Sequence, residues 1–190
     1  LQAQPDNVLV LNNLAWLHQR TGEHANAEKL YKQAADIYPR VGGQNHPDFA
    51  LNLLNLAMLL ETLNRYAEAE PICRQAGDIY KSAYGAESLD YIFCLNHLGM
   101  IYEGLGDAAR AVPVYKQALE LRQQILGEEH PDYATSLNNL AGAYSTLGDY
   151  AQAEALFQQC LDLRKRILGE DHPAYAMSLN NLALLCQTRG

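Results

Sequence analysis

Apolar residues recur along this chain at helical spacing, in paired stripes that return every 42 residues. Between His130 and Asp171, residues Tyr133, Leu137, Leu140, Ala141 and Tyr144 fall on one side of an α-helix. Gly148-Asp149 interrupts that stripe. A second stripe of Ala153, Phe157, Cys160, Leu161 and Ile167 follows from near Tyr150 and closes at Gly169, a usual C-terminal glycine. Pro131 suits a first helical position, where the missing N–H has no partner to lose, and Asp132 sets a carboxylate at the positive end of the helix dipole. The segment therefore predicts a helical hairpin of about four turns per arm.

The same hairpin is written several times. Asn13, Asn55, His97, Asn139 and Asn181 stand 42 apart, as do Gly43, Gly85, Gly127 and Gly169. Ala15, Ala57, Gly99, Ala141 and Ala183 mark one place in each first helix, and Ala27, Ala69, Ala111 and Ala153 one place in each second helix. Small side chains let helices approach, and Tyr31, Cys73, Tyr115 and Phe157 then fill the space between them. One hairpin cannot bury its own stripe, so the period predicts an all-α array stabilised by stacking of neighbours. The expected repeats are 4–45, 46–87, 88–129 and 130–171, with the first helix of a fifth over 172–190. Repeat three departs from the rule, with Ser88-Leu89 in place of His-Pro and His97 in place of Asn. Pro71 and Pro113 fall inside second helices and should each cost a backbone hydrogen bond. The chain lacks an initiator Met and stops mid-motif, so it reads as a segment of a longer protein whose last helix leaves an apolar face open.

Composition narrows the function. With 48% hydrophobic residues the 190-residue chain can bury a core. A net charge of −8 argues against a nucleic-acid partner, which calls for a basic face, and against an anionic membrane surface. No apolar run reaches the roughly 20 residues needed to span a bilayer. Cys73, Cys94, Cys160 and Cys186 form no CxxC pair and read as small core residues in a reducing, cytoplasmic compartment. His46, His130 and His172 each precede Pro (Pro47, Pro131, Pro173) and read as helix-start residues, one hairpin apart and too distant to share a metal. No phosphate loop and no nucleophile–base spacing appears. The expectation is a non-enzyme without cofactor or metal.

Leu168-Gly169-Glu170-Asp171-His172-Pro173, followed by Ser178-Leu179-Asn180-Asn181-Leu182-Ala183, resembles kinesin light chain repeats, a long variant of the tetratricopeptide repeat. The resemblance implies a tetratricopeptide-type α-solenoid, a right-handed superhelix of antiparallel hairpins whose first helices line a concave groove. It also implies a protein- or peptide-binding scaffold of the cargo-adaptor kind. Two other readings stay open: a sensor arm of a larger signalling ATPase or protease, and a structural array that self-associates through its open C-terminal end.

On the implied groove face, one column is Asn13, Asn55, His97, Asn139 and Asn181, flanked by Asn12, Asn96, Asn138 and Asn180, with Leu54 as the exception. A turn earlier come Leu9, Leu51, Phe93, Thr135 and Met177; a turn later come Trp16, Met58, Met100, Gly142 and Leu184. An asparagine amide both donates and accepts, so a ladder of them suits the backbone of an extended peptide. Leu51, Phe93, Trp16, Met58 and Met100 supply adaptable apolar contact for its side chains. Alternatively, paired asparagines cross-link neighbouring helices within the scaffold. The face carries Arg20 as its one basic residue, against Glu61 and Glu103, while Lys29, Lys32, Lys116, Arg164, Lys165 and Arg166 map to second helices. The expected ligand is therefore an apolar or mildly basic peptide, where kinesin light chains take acidic motifs with an aromatic residue.

Overall fold

The computed structural model describes residues 5–41 and 43–189. Gln4, where the first repeat was expected to begin, and Gly190, the expected end of the array, lie outside the described residues. Among the described residues the structure is helical throughout, in the order α1 (Pro5–Arg20), α2 (His24–Val41), α3 (Pro47–Thr62), α4 (Tyr66–Tyr84), α5 (Leu89–Gly104), α6 (Ala108–Leu126), α7 (Pro131–Leu147), α8 (Tyr150–Leu168) and α9 (Pro173–Arg189). Two compact units divide the chain, Leu1–Leu105 with α1 to α5 and Gly106–Gly190 with α6 to α9.

The residues before each helix explain where it starts. His46 and His130 cap α3 and α7, each Nδ1 accepting from the backbone N–H of Asp48 or Asp132 at 3.2 and 3.1 Å. His172 does the same for Ala174 N–H at 3.1 Å. The histidines are caps, which satisfies one of the orphan donors of a helix N-terminus. Where repeat three lacks the histidine, Ser88 Oγ takes its place and accepts from Tyr91 N–H at 3.1 Å. At the other ends, Gly85, Gly127 and Gly169 adopt φ of 81 to 89° with ψ near 167°, a region essentially closed to other residues. At the turn inside each hairpin, Gly22, Gly106 and Gly148 have positive φ and Asn64 stands in for them at φ 58°, a conformation its short polar side chain tolerates. Pro71 and Pro113 lie within α4 and α6 without ending them. Both are exposed, as are Ala67 and Ala109 four residues earlier, so the carbonyls they leave unpaired face water.

Within each unit the small residues do what the period requires. Ala15, Ala27, Ala57, Ala69, Ala111, Ala141 and Ala153 are all fully buried, and Tyr31, Cys73, Tyr115 and Phe157 are buried beside them. Ala183, at the same place in α9, is exposed. In the second unit Ala141, Ala153, Phe157 and Leu185 form one cluster, and Ala134, Leu137, Cys160 and Leu163 another. Three of the cysteines are core residues as expected, and burial pushes the Cys94 thiol up to about 12. Cys186 is exposed on α9, which departs from the expectation.

One packing device was not anticipated. Arg164, one of the basic residues mapped to second helices, is buried, and its Nη1 donates to Ser178 Oγ at 2.9 Å and to Ala174 O at 3.0 Å. Arg122 repeats the arrangement 42 residues earlier, donating to Ser136 Oγ at 2.7 Å and to Asp132 O at 3.2 Å. Burial holds the Arg122 guanidinium below its ordinary range. In the first unit the same places hold Tyr38 with Asn52 and Tyr80 with Cys94. Several lysine and arginine side chains at the surface pair with carboxylates, as in Arg65 Nη1 to Glu28 Oε2 at 2.6 Å and Arg166 Nη2 to Glu129 Oε1 at 2.6 Å.

Candidate functional site

In the first unit the groove-face residues of α1, α3 and α5 divide by accessibility. Trp16, Leu51, Phe93 and Met100 are 51%, 43%, 42% and 45% exposed, high for large apolar side chains in a packed helical unit. Met58 is half-buried beside them, and Arg20 stacks its guanidinium 5.2 Å from the Trp16 ring centre. Asn13 is exposed, while Asn55 and His97 are half-buried.

The flanking asparagines behave differently. Asn12 and Asn96 are buried. Asn12 Oδ1 accepts from Asn52 Nδ2 at 3.2 Å and from Asn55 Nδ2 at 3.5 Å, which ties α1 to α3. Asn96 Nδ2 donates to Ile92 O at 2.8 Å within its own helix. These two amides serve the scaffold and present no face to a ligand. In the second unit Asn181 Nδ2 donates to Asn138 Oδ1 at 2.7 Å, tying α7 to α9, while Asn138, Asn139 and Asn181 stay half-buried and Asn180 is exposed. Cross-linking of neighbouring first helices thus accounts for part of the ladder.

Each unit also holds a hollow at the same phase of the repeat. In the first, a cavity of about 320 Å³ is lined by Met58, Glu61, Thr62, His97 and Met100, with Gln19 and Tyr66 at its sides. In the second, one of about 220 Å³ is lined by Asn138, Gly142, Ser145, Asn181 and Leu184 among others. Met58 corresponds to Gly142, Glu61 to Ser145, His97 to Asn181 and Met100 to Leu184, each 84 residues on. The first hollow is therefore acidic and thioether-walled, and the second neutral and amide-lined.

The chemistry of the first hollow is set by one pair. Glu61 Oε1 and Oε2 lie 3.0 and 3.2 Å from His97 Nδ1, with both side chains about nine-tenths buried. A carboxylate only accepts, so the nitrogen carries the proton and donates. Phe93 braces the imidazole from the other side, with ring centres 4.6 Å apart. Tyr66 forms a wall with its hydroxyl donating to Asn64 Oδ1 at 2.9 Å, and a Cβ at Gly104 would collide with its ring, so only glycine admits that placement. The 42-residue period does not reveal the pair, because its partners stand 36 residues apart, six short of the repeat. The usable signal was the break in the column at His97 with an acid one turn beyond Met58.

Tetratricopeptide repeat patterns match residues 9–48, 48–124, 95–166 and 146–190. The chain belongs to the tetratricopeptide repeat family. The fold of this tetratricopeptide repeat chain is similar to the kinesin light chain TPR-like repeats of Podosopora anserina, with a TM-score of 0.87 and 24% identity over 98% of this chain and 88% of that one. BtubC (BKLC) from P. vanneervenii is similar at 27% identity and a TM-score of 0.81, covering 95% of this chain and 72% of its own. A Rap protein solved with Competence and Sporulation Factor shares the fold at 17% identity and a TM-score of 0.73, covering 97% of this chain and 49% of that chain. A comparison with curated protein sequences finds no match. Tetratricopeptide repeats are generally non-catalytic protein-interaction scaffolds. Among the described residues no helix is long and apolar enough to cross a membrane, and no group of three or more His, Cys, Asp or Glu side chains is placed to hold a metal.

Proposed function

We propose that this tetratricopeptide array binds an extended peptide segment of a partner protein along its first-helix face, as a cytoplasmic adaptor or scaffold. The observation that carries the reading is the set of exposed large apolar side chains, Trp16, Leu51, Phe93 and Met100, recurring on three successive first helices beside a hollow. Water-exposed aromatic and methionine side chains grouped on one face are what a peptide's side chains bury against. Asn13 and Asn180, exposed, and Asn55, Asn139 and Asn181, half-buried, are the amides left within reach of a peptide backbone. The division into 42-residue repeats 4–45, 46–87, 88–129 and 130–171, with the first helix of a fifth over 172–190, belongs to the same proposal.

A sensor role is the second reading, and one observation favours it. A Rap protein with the same fold was solved complexed with Competence and Sporulation Factor, so this architecture also occurs in a protein that takes up a separate factor.

Panning a displayed peptide library against the chain tests the proposal, with Phe93→Ala and Met100→Ala as variants. Both side chains are more than two-fifths exposed and lie outside the buried core, so truncation should leave the helical content by circular dichroism unchanged. Peptides enriched by the parent and lost by the variants support binding on this face. Enrichment that survives both substitutions places the ligand elsewhere.

A further inference from the structure

We infer that the hollow between α3 and α5 receives a basic side chain of the bound peptide, its head on Glu61 and its stem between Met58 and Met100. The inference rests on the peptide-binding reading above and names what one position of that peptide must carry.

Several polar groups lining the hollow are already engaged. Gln19 Oε1 accepts from Tyr31 at 3.1 Å, Thr62 donates to Met58 O at 2.9 Å, and Tyr66 donates to Asn64. Glu61 has two carboxylate oxygens, with room for about four donors. Among the described residues His97 Nδ1 is the one donor within hydrogen-bond range of it. A largely desolvated carboxylate with unused lone pairs at the edge of an open cavity calls for a cationic donor, and a guanidinium can meet both oxygens at once. Arg20, the groove face's own arginine, is drawn onto Trp16 and does not line the hollow. The thioethers of Met58 and Met100 suit the flexible methylene stem of arginine or lysine. Acidic side chains are excluded from this position by like charge.

The equivalent hollow of the second unit gives an internal control. With Ser145 and Asn181 in place of Glu61 and His97, it has no charge to offer and should show no preference for a cation. One chain thus carries a charge-selective and a charge-neutral position built on the same repeat.

The test is a titration of the isotope-labelled chain with Nα-acetyl-arginine amide, followed by nuclear magnetic resonance, with Nα-acetyl-citrulline amide as the uncharged isostere. The arginine amide should shift amide signals around Glu61 and His97 and leave those around Ser145 and Asn181 unmoved. Citrulline amide, and Glu61→Gln with arginine amide, should each bind roughly tenfold or more weakly, the loss of one charge-assisted pairing. Glutamine keeps the acceptor for His97, so the variant retains the fold. An equal response to citrulline, an undiminished response in Glu61→Gln, or no response near α3 and α5 would overturn the inference. If panning yields Phe93-dependent peptides with no basic position, the groove reading stands and this one fails. If panning yields nothing on this face while arginine binds as described, the hollow is cation-selective and the extended-peptide reading fails.

Discussion

Replacing Ser178 with alanine should loosen α9 selectively. Ser178 and Leu185 are the two buried residues of that helix, so its hold on α8 depends on few groups. Ser178 Oγ accepts from the buried Arg164 Nη1 at 2.9 Å and donates to Ala174 O at 3.2 Å. Alanine removes the acceptor and leaves the guanidinium with Ala174 O as its remaining partner. A hydrogen bond to a charged group contributes about 1.5–3 kcal/mol, so the opening of α9 should become roughly ten- to a hundredfold more frequent. Because repeats couple mainly to their neighbours, the loss should stay local. Native-state hydrogen exchange reads this directly: α9 amides lose protection by that factor, while α3 amides keep theirs. Arg164→Met separates charge from packing. It retains an apolar stem and removes the buried charge, and Ser178 stays satisfied through Ala174 O, so it should cost less than Ser178→Ala. Unchanged exchange of α9 in Ser178→Ala, or greater damage from Arg164→Met, would refute the view that a buried guanidinium held by a serine fastens these helices.

Asn12→Ala strands Asn52 Nδ2, which is fully buried, and should destabilise the first unit by about 1–3 kcal/mol in chemical denaturation, whereas Asn12→Leu with Asn52→Leu removes both ends of the bond and should cost less. Gly169→Ala forces a side chain into φ 84°, ψ 166° and should cost about 1–3 kcal/mol, visible as a lower melting temperature. Burial pushes the Tyr31 and Tyr38 phenols up to about 12, so the fold disfavours tyrosinate. Above pH ~10 the unfolded chain gives up those protons first, and stability, intact below that value, should fall as pH rises from about 10 towards 12. Tyrosinate absorbance rising together with loss of helicity would show it; smooth phenol titration in an intact helical protein would contradict it.

The hairpin architecture was legible because periodicity encodes burial. Alanines 42 residues apart mark close helix approach, and His-Pro pairs mark helix starts, whatever the surrounding sequence. The candidate site was legible by column, not by contact. A column shows which residues share a face; it does not show that Asn12 turns its amide inward while Asn13, its neighbour, stays outside. Burial of Asn12 follows from its partners on α3, 40 and 43 residues away, and of Arg164 from Ser178, 14 residues away. Such spacings fall outside the period. The Glu61–His97 pair was hidden for the same reason, and charge counting showed Glu61 only as an acidic residue of the groove face.

The buried pairs also make the hairpins non-interchangeable. A second helix ending in arginine needs a hydroxyl on the helix that follows, which Ser136 and Ser178 supply and Cys94 does not. Spliced ahead of α5, such a helix would bury a cation against a thiol, a poor acceptor. A tyrosine-bearing helix spliced ahead of α7 would leave the serine without its cation. The repeats share a shape, yet each junction reads the identity of its neighbour, so a shuffled array should assemble only where these couplings are moved as a set.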